Sequence, residues 1–489
     1  MNIPPSNRPA SPHTFHVVII GGGIAGLSTA WYLQQAARDQ SIDLQYTIIE
    51  ASDRWGGKVQ TEYVDSDGDS SFVLEAGPDA FLTRKAGVVN LVRELGLEER
   101  VISVNQVRHQ TYVVNKGQLV PLPEGMQLLV PTRLRPFLRS PLFSRWGKLR
   151  VGLDWFIPKR TSKTDESLAH FVRRRLGTEV LDKLAEPLLS GVYNAEPENQ
   201  SMQATFSQFP AMEQKYGSLL RGAKSTQANL SPERKSAFIS FQQGACELVA
   251  ALVSHLSGCL RLSTPVETVM KSGRNYRVRL ATGEELIADA VVLATPAKVA
   301  ALLTKQGFSQ TATQLETIPY SSIGAVYLGF RKSDVQRVLD GFGVVIPRSE
   351  KRKIDGITWV SSKWTSRAPS DSVLLRVFFG GPNTRDMMRL SDDNLLDVIR
   401  SEVRSLLGIH VLPIFHRVFR WPEGYPQYEV GHLDRIAAIE AALPHGLYVT
   451  GSSYRGIGVP DCITQGQNTA SQVIADLLER KSEASPLSV

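Results

Sequence analysis

The sequence predicts an α/β fold that opens on a parallel β-sheet. A β-branched apolar run, Phe15–Ile20, is followed by a glycine-rich turn and by residues 27–37, whose apolar residues have helical spacing. A second apolar run, residues 44–50, ends at Glu50. A strand, a turn, a helix and a second strand within about 35 residues are typical of a βαβ unit, whose strands pair in parallel.

Later segments continue the alternation of helices and strands. Residues 165–189 have a helical pattern, and Asp165 is a candidate N-cap. Residues 241–256 are predicted as a helix, and residues 276–296 as a hairpin that leads into a buried strand. Residues 446–478 read as a strand, a glycine-rich loop and a closing helix.

Composition places the chain among globular proteins. Its 489 residues are 42% hydrophobic and 21% charged, which excludes a disordered chain, a collagen-like fibre and a disulfide-stapled miniprotein. The net charge of +7 is compatible with an anionic partner, such as a membrane surface or an acidic substrate, and equally with ordinary solubility. No recognised nucleic-acid-binding module is present, so no nucleic-acid partner is expected.

Three cysteines, Cys246, Cys259 and Cys462, form no CxxC pair, which predicts neither a disulfide framework nor a metal site. The N-terminus lacks the apolar core of a signal peptide. The longest uncharged run, residues 17–37, has the length of a membrane helix, but its central GGGIAG indicates a strand, a turn and a helix. We therefore expect a cytoplasmic protein.

The glycine-rich turn carries the first chemical signal, a GxGxxG pattern. Gly21 permits the tight turn, Gly23 lets the backbone approach a pyrophosphate, and Gly26 lets the helix and strand pack closely. The following helix N-terminus favours phosphate. Glu50 ends the next strand, where a carboxylate binds a ribose 2′-hydroxyl. The pattern predicts a dinucleotide site made by Gly21, Gly22, Gly23, Ile24, Ala25, Gly26 and Glu50.

The residues after Glu50 indicate which dinucleotide is bound. Residues 50–58 read EASDRWGGK, in which paired glycines allow close backbone approach and two cations can neutralise a pyrophosphate. This run resembles the RxGG[KR] segment of FAD-dependent amine oxidase-type flavoproteins, and residues 75–79, EAGPD, resemble their second flavin segment. The resemblance implies that FAD is also bound by Ala51, Arg54, Gly57, Lys58, Gly77, Pro78, Asp79 and Ala80.

The C-terminal run GSSYRGIGVPD, residues 451–461, resembles the segment that meets the flavin ring in the same superfamily. A cysteine of this segment bonds covalently to the flavin in monoamine oxidases. Ser453 occupies the matching place, so the resemblance implies non-covalent FAD, and Cys462 is predicted to be a small packed residue. This segment adds Gly451, Ile457, Gly458 and Val459 to the candidate cofactor site.

A narrower resemblance covers residues 15–480. Residues 165–210, together with 318–330, 341–347 and 421–432, are similar to the signature of the porphyrinogen oxidases, and most similar to the Gram-positive type, which oxidises coproporphyrinogen III. The resemblance implies that FAD accepts the hydride, that molecular oxygen reoxidises the flavin with hydrogen peroxide as product, and that the enzyme acts in haem biosynthesis. The nearest alternative is protoporphyrinogen IX oxidase. More distant ones are a flavin amine oxidase and a peripheral membrane protein that binds FAD structurally.

The same resemblance implies roles for single positions. Val266 matches a residue that meets the adenine through its backbone, and Trp421 matches a flavin-contacting position. Val345 and Phe378 match apolar positions of the substrate cavity, and Phe342 suits the broad apolar pocket that a tetrapyrrole requires.

One departure from the family pattern falls beside the expected substrate. Residues 191–197 read GVYNAEP where the family usually reads GVYAGDP, so Ala195 replaces a glycine that lies by the tetrapyrrole. Substrate propionates need cations, and Arg84 and Lys85 are candidates; a solvated helix start is the alternative for both. Because hydride transfer is centred on the flavin, we assign no protein catalytic residue, and His170 and His432 are expected to be structural.

A basic and aromatic stretch lies where family members carry a membrane-associating helical region. Residues 130–160 hold eight lysines and arginines and one acid, Asp154, interleaved with Phe, Leu and Trp. Such a surface attracts anionic lipid, although a solvated helical hairpin would have the same composition. We expect peripheral contact with the inner face of the membrane, and transient contact with ferrochelatase.

The predicted architecture is thus a Rossmann-like FAD-binding domain with an inserted mixed β-sheet substrate domain and a helical domain. The expected boundaries are residues 15–95, 240–300 and 410–480 for the FAD-binding domain, 96–120 and 305–409 for the substrate-binding domain, 121–239 for the helical domain, and 1–14 and 481–489 for flexible termini.

Overall fold

A computed structural model describes residues 14–65, 71–105, 110–162, 164–228 and 236–484. Residues 1–13 and 485–489, which fall in the termini expected to be flexible, lie outside the described residues, whereas 481–484 belong to the last helix. Within the described ranges, no helix combines the length and the apolar character that crossing a bilayer requires.

The chain alternates between strands and helices along its length. The strands are β1 (Phe15–Ile20), β2 (Leu44–Ile49), β3 (Thr61–Asp65), β4 (Ser71–Glu75), β5 (Phe81–Leu82), β6 (Val101–Ser103), β7 (Gln110–Asn115), β8 (Gln118–Pro121), β9 (Met126–Gln127), β10 (Val130–Pro131), β11 (Phe238–Phe241), β12 (Cys259–Arg261), β13 (Val266–Ser272), β14 (Asn275–Leu280), β15 (Glu285–Ala288), β16 (Ala290–Leu293), β17 (Tyr320–Arg331), β18 (Gly341–Val345), β19 (Gly356–Trp359), β20 (Ser372–Phe379), β21 (Phe415–Pro426) and β22 (Leu447–Val449).

The α-helices are α1 (Ile24–Asp39), α2 (Ala86–Glu94), α3 (Leu134–Arg139), α4 (Arg145–Gly152), α5 (Leu168–Arg175), α6 (Thr178–Val180), α7 (Gly191–Tyr193), α8 (Met202–Phe206), α9 (Gln208–Tyr216), α10 (Leu219–Ala228), α11 (Cys246–His255), α12 (Ala297–Thr304), α13 (Ser309–Glu316), α14 (Val360–Lys363), α15 (Asp392–Leu407), α16 (His432–Ala442) and α17 (Val459–Ala484). A π-helix spans Leu181–Ser190, and 3₁₀ turns span Glu98–Arg100, Leu153–Trp155, Lys332–Asp334, Arg348–Glu350 and Arg385–Arg389.

A five-stranded parallel sheet confirms the predicted α/β fold. Its order is β12-β2-β1-β16-β22, so neighbouring strands come from distant parts of the sequence. The apolar residues of β1 and α1 pack with the inner face of α17 in one buried cluster. Because all five strands run the same way, their carboxyl ends meet at one edge of the sheet, where ligands bind in this class of fold.

A second, seven-stranded mixed sheet has the order β21-β17-β20-β19-β18-β7-β8. One face, which carries Ile357, Val377 and Phe379, is covered by the apolar side of α15. The other face looks toward the segments that were predicted to bind flavin. Strand β21, residues 415–426, belongs to this sheet although it lies within the range expected for the FAD-binding domain.

The helical region between α3 and α10 has its own apolar cluster. Residues 165–189 form three short helical pieces instead of one long helix, and the predicted N-cap at Asp165 is wrong. Ser167 caps α5 by accepting a hydrogen bond from the His170 N–H at 3.2 Å. The Asp165 carboxylate instead accepts from the Ser201 hydroxyl and thereby ties this region to the residues before α8.

Candidate active site

The turn between β1 and α1 has the shape that a pyrophosphate needs. Gly21 has φ of +112°, which a residue with a side chain rarely adopts. A Cβ on Gly26 would lie 2.0 Å from the Gly21 carbonyl oxygen, whereas a Cβ on Gly23 would meet nothing within 4 Å. Gly23 also caps α1 without a side chain, so the first N–H groups of this 16-residue helix face that open space.

The carboxylate at the end of β2 lies against this turn. One oxygen of Glu50 accepts from the Gly22 N–H at 2.7 Å, and the other accepts from the Ser52 N–H and hydroxyl at 2.9 and 2.8 Å. The Glu50 carbonyl accepts from the Thr264 N–H at 2.9 Å, which brings the segment leading to Val266 beside the turn. Glu50 and Val266 therefore lie close together, so that one ligand could contact Glu50 through its ribose and Val266 through its adenine.

The RxGGK run packs directly on the first turn. The Gly56 N–H donates to the Gly22 carbonyl at 2.8 Å, and a Cβ on Gly57 would come within 3.2 Å of the Gly23 Cα. The two cations of this run have different partners. Arg54 donates to the Gly57 carbonyl at 2.8 Å, whereas the ammonium of Lys58 donates to the carbonyl of Gly424. Burial lowers the pKa of Lys58, because a charged ammonium is poorly solvated there.

The second predicted flavin segment is fixed to the seven-stranded sheet. Asp79 accepts a hydrogen bond from Lys363 at 2.7 Å and lies 3.9 Å from Arg376. Burial acts to raise the pKa of Asp79, but these two cations hold it below its ordinary value. The Trp421 indole donates to the Ala76 carbonyl at 2.8 Å, and Arg376 donates to the Gly77 carbonyl at 2.9 Å.

The glycine-rich C-terminal loop closes the site from the side of α17. Gly451 has φ of +114°, and its Cβ direction points at the Ala25 side chain, 3.4 Å away. Tyr428, which the sequence did not single out, spans this loop: its hydroxyl accepts from the Gly456 N–H at 2.7 Å and donates to the Ser452 carbonyl at 2.9 Å. Ser453 is buried, and its hydroxyl shares a hydrogen bond with Tyr320 at 2.8 Å.

These segments meet at one edge of the parallel sheet and fit FAD. The open cradle at Gly23, the carboxylate of Glu50 and the partly buried ammonium of Lys58 offer partners for a phosphate, a ribose and an anionic group. The other predicted cofactor positions lie on the same segments: Ala51, Pro78, Ala80, Ile457, Gly458 and Val459.

The predicted apolar substrate positions share one face of the seven-stranded sheet. Phe378 pairs with Gly356, and Gly356 pairs with Val345, so these three residues stand side by side across three strands. Gly356 leaves a gap between the two larger side chains. The Arg376 guanidinium lies 4.7 Å from the Phe378 ring centre, and Arg376 binds the flavin segment, so this face looks toward the cofactor site. Phe342 packs with the apolar residues around Ala80.

The two candidate propionate-binding cations differ in environment. The Lys85 ammonium lies 2.6 Å from both carboxylate oxygens of Asp461, at the start of α17. Arg84 is exposed. Burial, assisted by Asp461, raises the pKa of Tyr193, and the positive charge of Arg84 opposes that rise. Arg84 therefore lies close to Tyr193 of the helical region.

Ala195 is buried and lines a cavity of about 530 Å³ between the helical region and the strands β17 and β21. The cavity wall also includes Ser321, Gln427 and Tyr428. Of the six predicted substrate residues, the structure brings Val345, Phe342 and Phe378 to one sheet face, and Val345 packs against the apolar cluster that contains Ala195. Only Ala195 of these four lines the cavity of about 530 Å³.

Sequence reasoning missed Lys363, Arg376, Tyr428 and Asn194. Each acts on a site segment that is more than 25 residues away along the chain. The alternation of β20, in which Arg376 falls on the same face as Phe378, was the one signal that could have marked Arg376 as a residue of the site.

Comparisons with known proteins agree with this arrangement. The family model for flavin-containing amine oxidoreductases matches residues 24–474. The chain is 37% identical to the coproporphyrinogen III oxidase of Bacillus subtilis, over 94% of this chain and 98% of that protein. It is 34% identical to the coproporphyrinogen III oxidase of Staphylococcus aureus, over 95% and 100%. A crystal structure assigned as a protoporphyrinogen oxidase from Exiguobacterium superposes with a TM-score of 0.82 and 31% identity, over 95% and 99%.

Proposed function

Since this chain belongs to the FAD-dependent porphyrinogen oxidases, within the flavin-containing amine oxidoreductases, we propose that it oxidises coproporphyrinogen III to coproporphyrin III in haem biosynthesis. The observation that carries the proposal is the near full-length similarity to coproporphyrinogen III oxidases. The apolar row of Val345, Gly356 and Phe378, which faces the cofactor segments, supports it.

The reaction removes six hydrogens from the porphyrinogen, and three molecules of oxygen become three of hydrogen peroxide. Bound FAD supplies the acceptor for the hydride at each of the three two-electron rounds. The chain holds the macrocycle flat on the apolar row, excludes water there, and offers Arg84 to a propionate at the rim. Lys85 can serve a propionate only after leaving Asp461.

We propose that FAD is held non-covalently. When FAD binds, residues 21–26 would hold its pyrophosphate, Glu50 and Val266 its adenosine, and Trp421 and the loop at 451–459 its flavin ring. The partners described above support this placement, and Ser453 offers only a hydroxyl where monoamine oxidases use a cysteine. The division into FAD-binding, substrate and helical domains remains part of the same proposal.

The test is a porphyrin fluorescence assay on the FAD-loaded protein in air. Coproporphyrinogen III and protoporphyrinogen IX are supplied separately, and emission is followed above the autoxidation blank. Faster turnover of coproporphyrinogen III is the expected result. Preference for protoporphyrinogen IX would replace the substrate and keep the reaction. Turnover of neither, with FAD bound, would contradict the proposal and direct attention to amine substrates.

Adding a methyl group at Gly356 tests whether the apolar row of Val345, Gly356 and Phe378 forms the substrate-binding surface. In Gly356→Ala the new Cβ would lie 3.0 Å from the Val344 carbonyl and project into the gap beside Phe378. We expect KM for coproporphyrinogen III to rise several-fold with the bound-flavin spectrum unchanged. The control is Ile357→Val, on the opposite face against α15, which should leave KM unchanged.

We also propose that the helical region contacts anionic lipid through helices α3 and α4. Large apolar side chains project into solvent from these helices and from the turn that follows α4, among them Trp146 of α4 at 80% exposure and Phe156, just after the turn Leu153–Trp155, at 79%. Arg135, Arg139 and Arg145 are exposed between them. Aromatic and basic side chains together favour an anionic membrane surface. Such docking would place the protein on the inner face of the membrane and near ferrochelatase, the transient partner we propose for the product.

Vesicle sedimentation tests this surface. The FAD-loaded protein should sediment with vesicles that contain phosphatidylglycerol, and less with pure phosphatidylcholine or at high salt. The double variant Trp146→Ala/Phe156→Ala should lose most of the binding, whereas Leu302→Ala, an exposed leucine on α12, should retain it. Equal sedimentation of both variants would contradict the proposed surface.

A further inference from the structure

Asn194 has an unusual backbone conformation in an unusual place. Seven non-glycine residues of the described chain have positive φ, and Asn194, with φ of +49°, is the only one of them that is buried. Asparagine tolerates this region better than other residues with side chains, but a buried residue holds it only when its surroundings fix it. The residue stands in GVYNAEP, next to Ala195.

The side chain of Asn194 joins the helical region to the seven-stranded sheet. Its amide nitrogen donates to the Ser321 hydroxyl at 3.0 Å and to the Ser322 carbonyl at 2.7 Å. The Ser321 hydroxyl in turn donates to the Asn194 carbonyl at 3.1 Å. Gln427 completes the network by donating to the Ser321 hydroxyl at 2.7 Å and to the Tyr193 carbonyl at 3.2 Å.

The residues that follow Asn194, Ala195 and Glu196, line the cavity of about 530 Å³. Tyr193 and Ala195 belong to the apolar cluster against which Val345 packs. Glu196 binds Arg348 at 2.6 Å and Arg385 at 3.3 Å. A shift of this segment would therefore move the wall beside Val345 and two guanidinium groups at the same time.

We propose that Asn194 is a positioning residue that contributes to the choice between porphyrinogens. The network with Ser321 holds Ala195 and the cavity wall at the separation that suits one set of peripheral substituents. The inference rests on the proposed function, because the two candidate substrates differ in those substituents: propionates occupy positions in coproporphyrinogen III where protoporphyrinogen IX carries vinyl groups. A displacement of about 1 Å is enough to change turnover strongly.

The test compares variants that separate the side chain from the backbone. Asn194→Gly keeps the positive φ and removes the amide, Asn194→Ala removes the amide and strains the backbone, and Ser321→Ala removes the shared hydroxyl. The control is Asn90→Ala, an exposed residue of α2 that does not line the cavity. The bound-flavin spectrum and the thermal midpoint are recorded for each protein.

We expect Asn194→Gly and Ser321→Ala to change the ratio of kcat/KM for the two porphyrinogens by threefold or more, mainly through KM, with the flavin spectrum unchanged. Asn90→Ala should keep the wild-type ratio. A wild-type ratio in both Asn194→Gly and Ser321→Ala, even with a lowered thermal midpoint, would reduce Asn194 to a structural residue and overturn the inference. Failure of the wild-type protein to oxidise either porphyrinogen would instead overturn the proposed function beneath it.

Discussion

Glu50 is the residue that we propose to recognise the ribose of FAD. Its two oxygens accept three hydrogen bonds from Gly22 and Ser52, which hold the carboxylate at the carboxyl end of β2. A hydrogen bond to a charged group contributes about 1.5–3 kcal/mol. Glu50→Gln should therefore weaken FAD binding about tenfold or more, as measured by titrating the apoprotein and following flavin fluorescence.

Asp53 provides a matched control for this change. It is an exposed acid three residues later in the same loop. Asp53→Asn should leave the dissociation constant within a factor of two. An equal loss of affinity in both variants would indicate a general effect of charge instead of a specific contact by Glu50.

His432 is fully buried and stacks on Tyr428, with ring centres 3.9 Å apart. Its Nε2–H donates to the Tyr454 carbonyl at 2.8 Å, and this fixes the tautomer. Burial lowers the pKa of His432 to about 4, and the charges of Arg435 and Arg455 add to that effect. The residue is neutral and structural, and it supports the tyrosine that holds the C-terminal loop.

The lowered pKa of His432 predicts that the folded protein loses stability at mildly acid pH. Its pKa is lower in the folded than in the unfolded protein, so its contribution is present above about pH 6.5 and is lost as the pH falls toward 4. The full loss is about 3 kcal/mol. The unfolding free energy of His432→Gln should depend less on pH in this window, measured by urea denaturation. His410→Gln, at an exposed site, should keep the wild-type dependence.

At the scale of elements, the helical region depends on a buried ion pair between Asp154 and Arg175. Both side chains are inaccessible to solvent. Asp154 also accepts from the Ser218 hydroxyl at 2.6 Å, and Arg175 donates to the Gly217 carbonyl at 3.1 Å. The pair therefore joins the 3₁₀ turn Leu153–Trp155, the end of α5 and the segment between α9 and α10.

Removing one partner of this pair should strongly destabilise the region. Asp154→Ala would leave the buried Arg175 guanidinium with only the more distant carboxylate of Glu213, 3.5 Å away, and removing one partner of a buried pair costs about 3–5 kcal/mol. Urea denaturation followed by circular dichroism measures the loss. Arg173→Ala breaks a half-exposed pair with Glu198 and should cost less than about 1 kcal/mol. Similar losses in the two variants would contradict a special role for the buried pair.

Elements defined by local pattern were predicted well, and elements defined by their surroundings were not. The run β1–α1–β2 lies where the apolar periodicity and the glycines placed it. The expected helix over 165–189 is broken at Gly177, which has φ of +94°, and continues as a π-helix that contains Pro187. Asp165 has the chemistry of an N-cap, but its bond to Ser201 comes from the tertiary fold.

At the scale of the whole molecule, the cofactor site is assembled from segments more than 400 residues apart. The first turn, the segment before Val266 and the loop after β22 meet because β1, β2, β16 and β22 lie in one sheet. A ligand that contacts all of them stabilises them together, since binding to the folded state alone shifts the equilibrium toward it.

Hydrogen exchange can test this cooperativity. Addition of FAD to the apoprotein should slow amide exchange in parallel in residues 21–26, 262–266 and 451–459. Opening any one of these segments would release FAD and so remove its contacts with the other two. Residues 145–156 in the helical region serve as the internal reference and should be unaffected. Protection confined to residues 21–26 would contradict a site that is shared among the three segments.

The sequence by itself determined the parallel α/β core, the glycine cradle and the acid at Glu50, because these depend on local periodicity and on fixed spacing within one βαβ unit. The tertiary structure alone decided where Lys58 and Asp79 find their partners, how Tyr428 spans the C-terminal loop, and that Asn194 is anchored on Ser321. These contacts join separate segments of the chain, and their energies depend on burial and on distance. Neither quantity exists until distant segments of the chain have packed together.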